Sequence, residues 1–310
     1  MRRYEYNLYE GGRSFGDHVL FAFAKLADLI LSPVGHYRIG SVVKLLSIVF
    51  RRPKTSVVAT LDTGGRFIFP VYDISWGSVV YGARPYEAEV EWLFRQLTPI
   101  NFVFLDGGAN FGFWSAWISG HLPAGQAKIY AVEPSPTCLP FLNKTAEESR
   151  GKIKVIPKAI HSMDGATLSF AVDDNHVASK VVSKVEVGER RITVRTTTID
   201  AIIRDHELMD ELILIKLDVE GQEVNAMQGG SVTAELDALF LYEDHGLDDQ
   251  CAPTEYMLAN GFAVFSFDGN RIVHINSVEC VREKKVDKRK GYNFLSTKST
   301  KWTNILNGIE

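Results

Sequence analysis

The sequence is short of cysteine, lacks any long apolar run and carries no strong excess of one charge. Its three cysteines among 310 residues, Cys138, Cys251 and Cys280, share no short metal-type spacing. That excludes a disulfide framework and a cysteine-based zinc site, and fits a reducing, cytosolic compartment. The two most apolar early stretches, Val19 to Leu31 and Val42 to Phe50, are broken by Lys25, Asp28 and Lys44 and are too short to span a bilayer. Tyr4 to Asp17 is polar and offers no signal-peptide core. The expectation is a soluble, cytoplasmic protein with at most peripheral membrane contact. Internal repeats and low-complexity segments are also missing. A hydrophobic fraction of 45% and a charged fraction of 23% are ordinary for a chain that buries a sizeable core.

The net charge of −4 conceals an asymmetry: residues 1–60 hold nine Lys/Arg against four Asp/Glu, and residues 201–250 hold two against thirteen. The basic N-terminal stretch reads as a solvated helix face or as a surface for an anionic partner. A denser basic run, Arg282, Lys284, Lys285, Lys288, Arg289 and Lys290, is mixed with Glu283 and Asp287 and lacks an aromatic platform, so no nucleic-acid partner is expected.

Two helices are predicted over Val19 to Leu31 and Ile39 to Phe50, separated by Ser32, Pro33 and Gly35. Two strands follow, Val57 to Leu61 and Phe67 to Val71, joined by a turn at Asp62, Gly64 and Gly65. These make a helical and β-hairpin extension over residues 1–85, ahead of a main domain over 86–310. The main domain opens with a helix from Tyr86 to Leu97, its acids Glu87, Glu89 and Glu91 biased to the positive end. Short apolar strands then alternate with helices: Phe102 to Leu105, Lys128 to Val132, Ile153 to Ile156, Leu212 to Leu217, Ala238 to Tyr242 and Phe262 to Phe267. That rhythm indicates an α/β fold with a mostly parallel sheet covered on both faces. A β-rich insert, with runs at Thr167 to Val172 and Arg191 to Arg195, interrupts it.

After the first of these strands comes Leu105-Asp-Gly-Gly-Ala-Asn-Phe-Gly112. A glycine-rich turn between a buried strand and a helix lies at the carboxyl edge of the sheet, where ligands bind. A dinucleotide site would show G-x-G-x-x-G, but Gly107, Gly108 and Gly112 are spaced otherwise and Ala109 sits where the second glycine belongs. Asp106 would repel a pyrophosphate and attract an ammonium. S-adenosylmethionine (SAM) has that ammonium together with a carboxylate. Glu133, about twenty residues on and at the end of the second strand, is placed to accept from both hydroxyls of a ribose. Pro157 to Ile160, with Ala159 among them, would edge the adenine.

The fourth strand exits through Lys216-Leu-Asp218-Val-Glu220-Gly221, and the fifth through Tyr242-Glu243-Asp244-His245. Charges at the end of apolar strands are costly unless they pair or do chemistry. Methyl transfer to oxygen needs an in-line approach and a group that takes the hydroxyl proton. His245 is the first candidate base, with Asp218 and Glu243 as alternatives or orienting partners, while Lys216 would anchor Glu220 or steer the acceptor oxygen. A divalent metal on Asp218, Glu243 and His245 is a less favoured arrangement, and a purely structural ion network is another.

Together these elements resemble the FkbM family of SAM-dependent methyltransferases. The likeness runs through Tyr86-Glu87, the Asp106 to Gly112 turn, Val132-Glu-Pro134, Thr198-Ile-Asp200, Ile215 to Gly221, Glu223 and Glu243 to His245. It implies a Rossmann-like class I methyltransferase fold with a seven-stranded sheet, and O-methylation of a hydroxyl on a sugar, glycan or secondary metabolite. The cofactor set is then Glu87, Asp106, Gly107, Gly108, Asn110, Phe111, Gly112, Ser115, Glu133, Pro134 and Ala159, and the reacting set Lys216, Asp218, Glu220, Glu243 and His245. Gly107 stands where the family more usually has valine, and the first eighty residues show none of its motifs. The acceptor pocket is therefore expected from the N-terminal region and the insert, with Trp76, Tyr81 and Trp114 as pocket or packing residues. The alternative function is a SAM-binding regulatory module without catalysis.

Overall fold

The computed structural model describes residues 4–9, 56–71, 73–81, 85–121, 128–172, 180–181, 190–288 and 290–309, with His18 and Ala22. Of the two helices expected over Val19 to Leu31 and Ile39 to Phe50, all but Ala22 lies outside the described residues. The chain begins with β1 (Glu5–Leu8), β2 (Ser56–Thr60) and β3 (Arg66–Pro70), an antiparallel sheet in that order. Next come α1 (Ile74–Val80), α2 (Ala88–Leu97), β4 (Val103–Gly107), α3 (Phe113–His121), β5 (Ile129–Val132), α4 (Leu139–Glu148) and β6 (Ile153–Ile156). The insert forms β7 (Ala159–Ile160), β8 (Thr167–Val172), β9 (Lys180–Val181) and β10 (Arg190–Thr197), followed by α5 (Ile199–Asp205). The remainder is β11 (Ile213–Leu217), α6 (Glu223–Gln228), β12 (Ala238–His245), α7 (Ala252–Ala259), β13 (Ala263–Phe267), β14 (Ile272–Ile275), α8 (Val278–Lys284), β15 (Gly291–Thr297) and α9 (Thr300–Asn307).

The main sheet has the order β14-β13-β15-β12-β11-β4-β5-β6. Its five strands from β12 to β6 pair in parallel, while β15 runs antiparallel between β12 and β13. The Rossmann-like α/β architecture is thus present, with eight strands where seven were expected. The extra one, β14, folds back on β13 through a turn closed by the Asp268 amide donating to the Arg271 carbonyl.

Side-chain alternation divides the core into two layers. Phe104, Leu214, Leu239 and Leu241 face one layer, which also takes Val90, Leu93 and Phe94 of α2 and Trp114 and Trp117 of α3. Val103, Leu105, Ile213, Ile215, Phe240 and Tyr242 face the other, with Ile199 and Ile202 of α5, Met227 of α6 and Met257 of α7. Each fully buried aliphatic or aromatic side chain contributes roughly 1.5–3 kcal/mol, so neither face can be left to water. The β2–β3 hairpin is seated on the first layer. The Ile68 amide donates to Thr145 Oγ1 of α4, and Gly65 and Gly120 pack backbone against backbone.

Two of the elements missed from the sequence bear on the site. Helix α1 holds Gly77 in its middle, and Asp73 caps it by accepting from the Trp76 amide. Strand β15 buries Asn293, Ser296 and Thr297, so its polar composition disguises a central strand. The polar atoms find partners: Ser296 Oγ donates to Tyr242 Oη and Thr297 Oγ1 to the Ala238 carbonyl.

Candidate functional site

The carboxyl ends of β4, β5, β11 and β12 meet in one region, and a cleft of about 360 Å³ opens there. Asp106, Gly108, Ala109 and Asn110 form its floor; Val132, Glu133 and Pro134 flank it beside Ala159 and Ile160. Lys216, Asp218, Val219, Glu220 and Gln222 close the opposite side. A wall of Ser75, Trp76, Ser78 and Val79 comes from α1, and Tyr86, Phe113 and Trp114 complete it. Trp76 and Trp114 therefore both pack and line the cleft. Tyr81 turns away, buried against Tyr6 and Phe69.

Local chain geometry explains the floor. Gly108 has φ +79°, and a Cβ there would sit 1.9 Å from the Asp218 carbonyl oxygen, so the turn after β4 lies directly against the turn after β11. Asn110, at φ 54°, occupies the left-handed region that asparagine tolerates best among side-chain-bearing residues. Its Oδ1 accepts from Trp76 Nε1 at 3.1 Å and from the Phe111 amide at 2.8 Å. Glu133 holds this turn: its Oε2 accepts from the Asn110 amide at 2.8 Å and its Oε1 from the Ser135 amide at 2.7 Å. These two bonds tie the turn after β4 to the segment that leaves β5. Glu87 and Glu220 also take positive φ, and such strain gathers at functional sites.

Of the other residues read from the sequence, Gly107, Phe111, Gly112 and Ser115 support the floor without lining it. Ser115, at the third position of α3, donates through Oγ (2.6 Å) and its amide (3.2 Å) to Asp106 Oδ2. Asp106 thus caps that helix from the strand end while facing the cleft. Burial first pushes its carboxyl up, against the pull of Lys216 and Ser115.

Lys216 is 3% exposed. Its Nζ lies 3.0 Å from Asp218 Oδ2 and 3.7 Å from Glu87 Oε2. Burial works against its charge, yet Asp218 and Glu87, with Tyr86 and Asp106, hold the ammonium well above the ordinary lysine range. The expected anchor for Lys216 was Glu220; the structure gives it Asp218 and Glu87 instead. Glu87 also accepts from Trp114 Nε1 at 2.6 Å, and burial raises its carboxyl. Glu243 stands behind this group. Burial first, then the charges of Asp218, Glu87 and Glu220, push its carboxyl up to about 8 despite Lys216.

His245 is not brought to this cleft. It is exposed, and its Nδ1 accepts from the Leu247 amide at 3.1 Å. Between it and Glu243, Asp244 faces the other way into a buried pair with Lys285, Nζ to Oδ1 at 2.5 Å. Lys285 Nζ also donates to the Asp248 carbonyl at 2.6 Å. Lys285→Met is expected to cost about 3–5 kcal/mol of stability in urea titration, because it strands a fully buried carboxylate. Among the described residues, no group of three or more His, Cys, Asp or Glu side chains is arranged to hold a metal ion. Asp218, Glu243 and His245 do not converge.

Residues 106–257 match the methyltransferase FkbM domain. This segment is an FkbM methyltransferase domain. The chain is also similar to methyltransferase sdnD of Sordaria araneosa, at 24% identity over 42% of this chain and 61% of that protein. The chain thus spans about three fifths of that relative's length. Among solved structures it is similar to methyltransferase FkbM of Methylobacillus flagellatus KT, with 17% identity, TM-score 0.41, and 63% of this chain and 43% of that one covered. It is similar as well to Aeropyrum pernix fibrillarin in complex with S-adenosyl-L-methionine, with 12% identity, TM-score 0.40, and 78% and 93% covered. The domain's cleft borrows from outside the matched segment. Trp76 and Tyr86 line it from ahead of that segment, and Glu87 stands outside the lining against Lys216; Gly291 and Asn293, which sequence reasoning missed, follow the segment and meet Glu243 and Glu87 behind the cleft. Neither carries a motif, so only strand pairing brings them in.

Proposed function

We propose that this chain is a cytoplasmic, SAM-dependent O-methyltransferase whose acceptor is a hydroxyl of a sugar, glycan or secondary metabolite. The carrying observation is one cleft lined by Asp106, Gly108 and Glu133 on one side and Lys216, Asp218 and Glu220 on the other. Those residue types suit the cofactor. Gly108 lets the turn after β4 close against the turn after β11, Glu133 offers carboxylate oxygens to a diol, and four lining carboxylates against one lysine favour a cationic ligand. SAM, when bound, supplies a methyl group activated by its sulfonium.

The chain's own residues do the remaining work. Glu133 and the Asp106 to Asn110 turn bind and orient, and the aromatic wall of Trp76, Tyr86, Phe113 and Trp114 excludes water. Lys216 fixes Asp218 and Glu87 at the reacting edge. Glu243, which stands behind Asp218 and Glu87 with its carboxyl raised to about 8, is the proposed acceptor of the hydroxyl proton, and Asp218, which lines the cleft itself, is the alternative. Calorimetry with SAM and with NAD tests the cofactor assignment, with heat expected only from SAM and lost in Glu133→Ala. Labelled methyl transfer from SAM to a panel of glycosides and polyketide alcohols tests the reaction. His245→Ala is expected to leave SAM affinity and transfer essentially unchanged; loss of transfer with intact binding would restore histidine as the base.

A further inference from the structure

Strand β15 meets β12 with Glu243 opposite Asn293 and His245 opposite Gly291. These four residues share one face of the sheet. With no side chain at Gly291, the Glu243 side chain lies over that backbone: a Cβ at Gly291 would fall 1.1 Å from Glu243 Oε1 and 2.1 Å from its Cδ. Asn293, almost fully buried, donates from Nδ2 to Glu89 Oε1 at 2.9 Å and to Glu87 Oε1 at 3.3 Å. One short segment of β15 therefore touches both carboxyls that stand behind the cleft, Glu243 by leaving room and Glu87 by donating to it.

We propose that Gly291 and Asn293 are positioning residues of the methyl-transfer site, the glycine by leaving the space that the Glu243 carboxyl occupies and the asparagine by fixing Glu87 beside Lys216. The proposal rests on the reading of Glu243 as proton acceptor. Gly291 is a clean probe because its φ is not in the left-handed region and its would-be clash is with a flexible side chain, so alanine folds and the carboxyl moves. The groups facing Glu243 are Asp218 and Glu220 beyond β11, Lys216 within β11, and Tyr86 and Glu87 ahead of α2.

The test follows the Glu243 carboxyl carbon by NMR in protein carrying 13C-labelled glutamate, the signal being assigned by its loss in Glu243→Gln. Gly291→Ala is expected to lower the titration midpoint by about one pH unit or more as the carboxyl leaves its neighbours. Asn293→Asp, isosteric and adding a charge, is expected to raise it. With an acceptor in hand, Gly291→Ala lowers kcat by about tenfold or more with KM for SAM unchanged, and Asn293→Gln recovers part of what Asn293→Ala loses. An unmoved midpoint in both Gly291→Ala and Asn293→Asp overturns the positioning role. Full turnover in Glu243→Gln would instead overturn the proton-acceptor reading, while the NMR shifts would stand.

Discussion

Gly108→Ala is expected to weaken SAM binding severely while leaving the fold in place. The residue sits at φ +79°, where an alanine costs about 1–2 kcal/mol before any contact is counted. Its Cβ would then meet the Asp218 carbonyl at 1.9 Å, and that atom is backbone with no flexible end to yield. The two turns must part, taking with them the Asp218 amide bond to the Gly107 carbonyl and the Gly108 and Ala109 amide bonds to Val132. Affinity should fall by about a hundredfold or more, equivalent to about 2.8 kcal/mol. Calorimetry reads the loss and circular dichroism the retained fold. Gly107→Ala is the control: it lacks the positive φ, and its nearest conflict is the movable Cδ1 of Ile160 at 2.8 Å, so a milder loss is expected. Equal affinity in the wild type and Gly108→Ala would remove the floor from the site.

Glu243→Gln is expected to lower methyl transfer by about 10²–10⁴-fold, with SAM affinity retained because the side chain lies behind the cofactor cleft. The pH dependence gives the sharper signature. With the carboxyl raised to about 8, the wild type holds little of the base form at neutral pH, and its rate climbs as pH rises through 8 to a plateau. The glutamine variant shows a low, flat profile. Stability moves in the opposite sense. Folding raises this group above the ordinary 4.5, so its stabilising contribution is complete below about 4.5 and is lost as pH rises through about 8. Urea titrations at pH 5, 7 and 9 should show that decline in the wild type and its reduction in Glu243→Gln.

The floor of the cleft was legible in the sequence because its logic is local. A strand, a glycine turn and a helix start are contiguous from Phe102 to Ser115, and Glu133 closes the next unit at a characteristic distance. The strand-end acids were legible for the same reason. His245 was misplaced by a longer-range effect. Strand β12 pairs with β11 only as far as Tyr242 opposite Leu217, yet continues to His245 against β15. The histidine therefore projects past the edge that Glu243 still serves. Lys216 found Glu87 rather than Glu220 because Glu87 arrives from ahead of α2, a contact no spacing within the 216–223 motif announces. Strand β15 escaped notice because its buried faces carry Asn, Ser and Thr, whose partners are visible only after the sheet is assembled.

The place of β15 also shapes how this chain must be made. Strand β12 ends at His245 and β13 begins at Ala263, yet the strand between them is not synthesised until residues 291–297. A nascent chain emerging from the ribosome thus carries the β12 edge unpaired over residues 246–290 and the β13 edge over residues 268–290, the kind of exposure that invites intermolecular pairing. Chains that terminate before Gly291 would keep the glycine turn and Glu133 but leave those edges open and Glu243 without its shelf, so early release is expected to yield aggregation rather than a partly active enzyme.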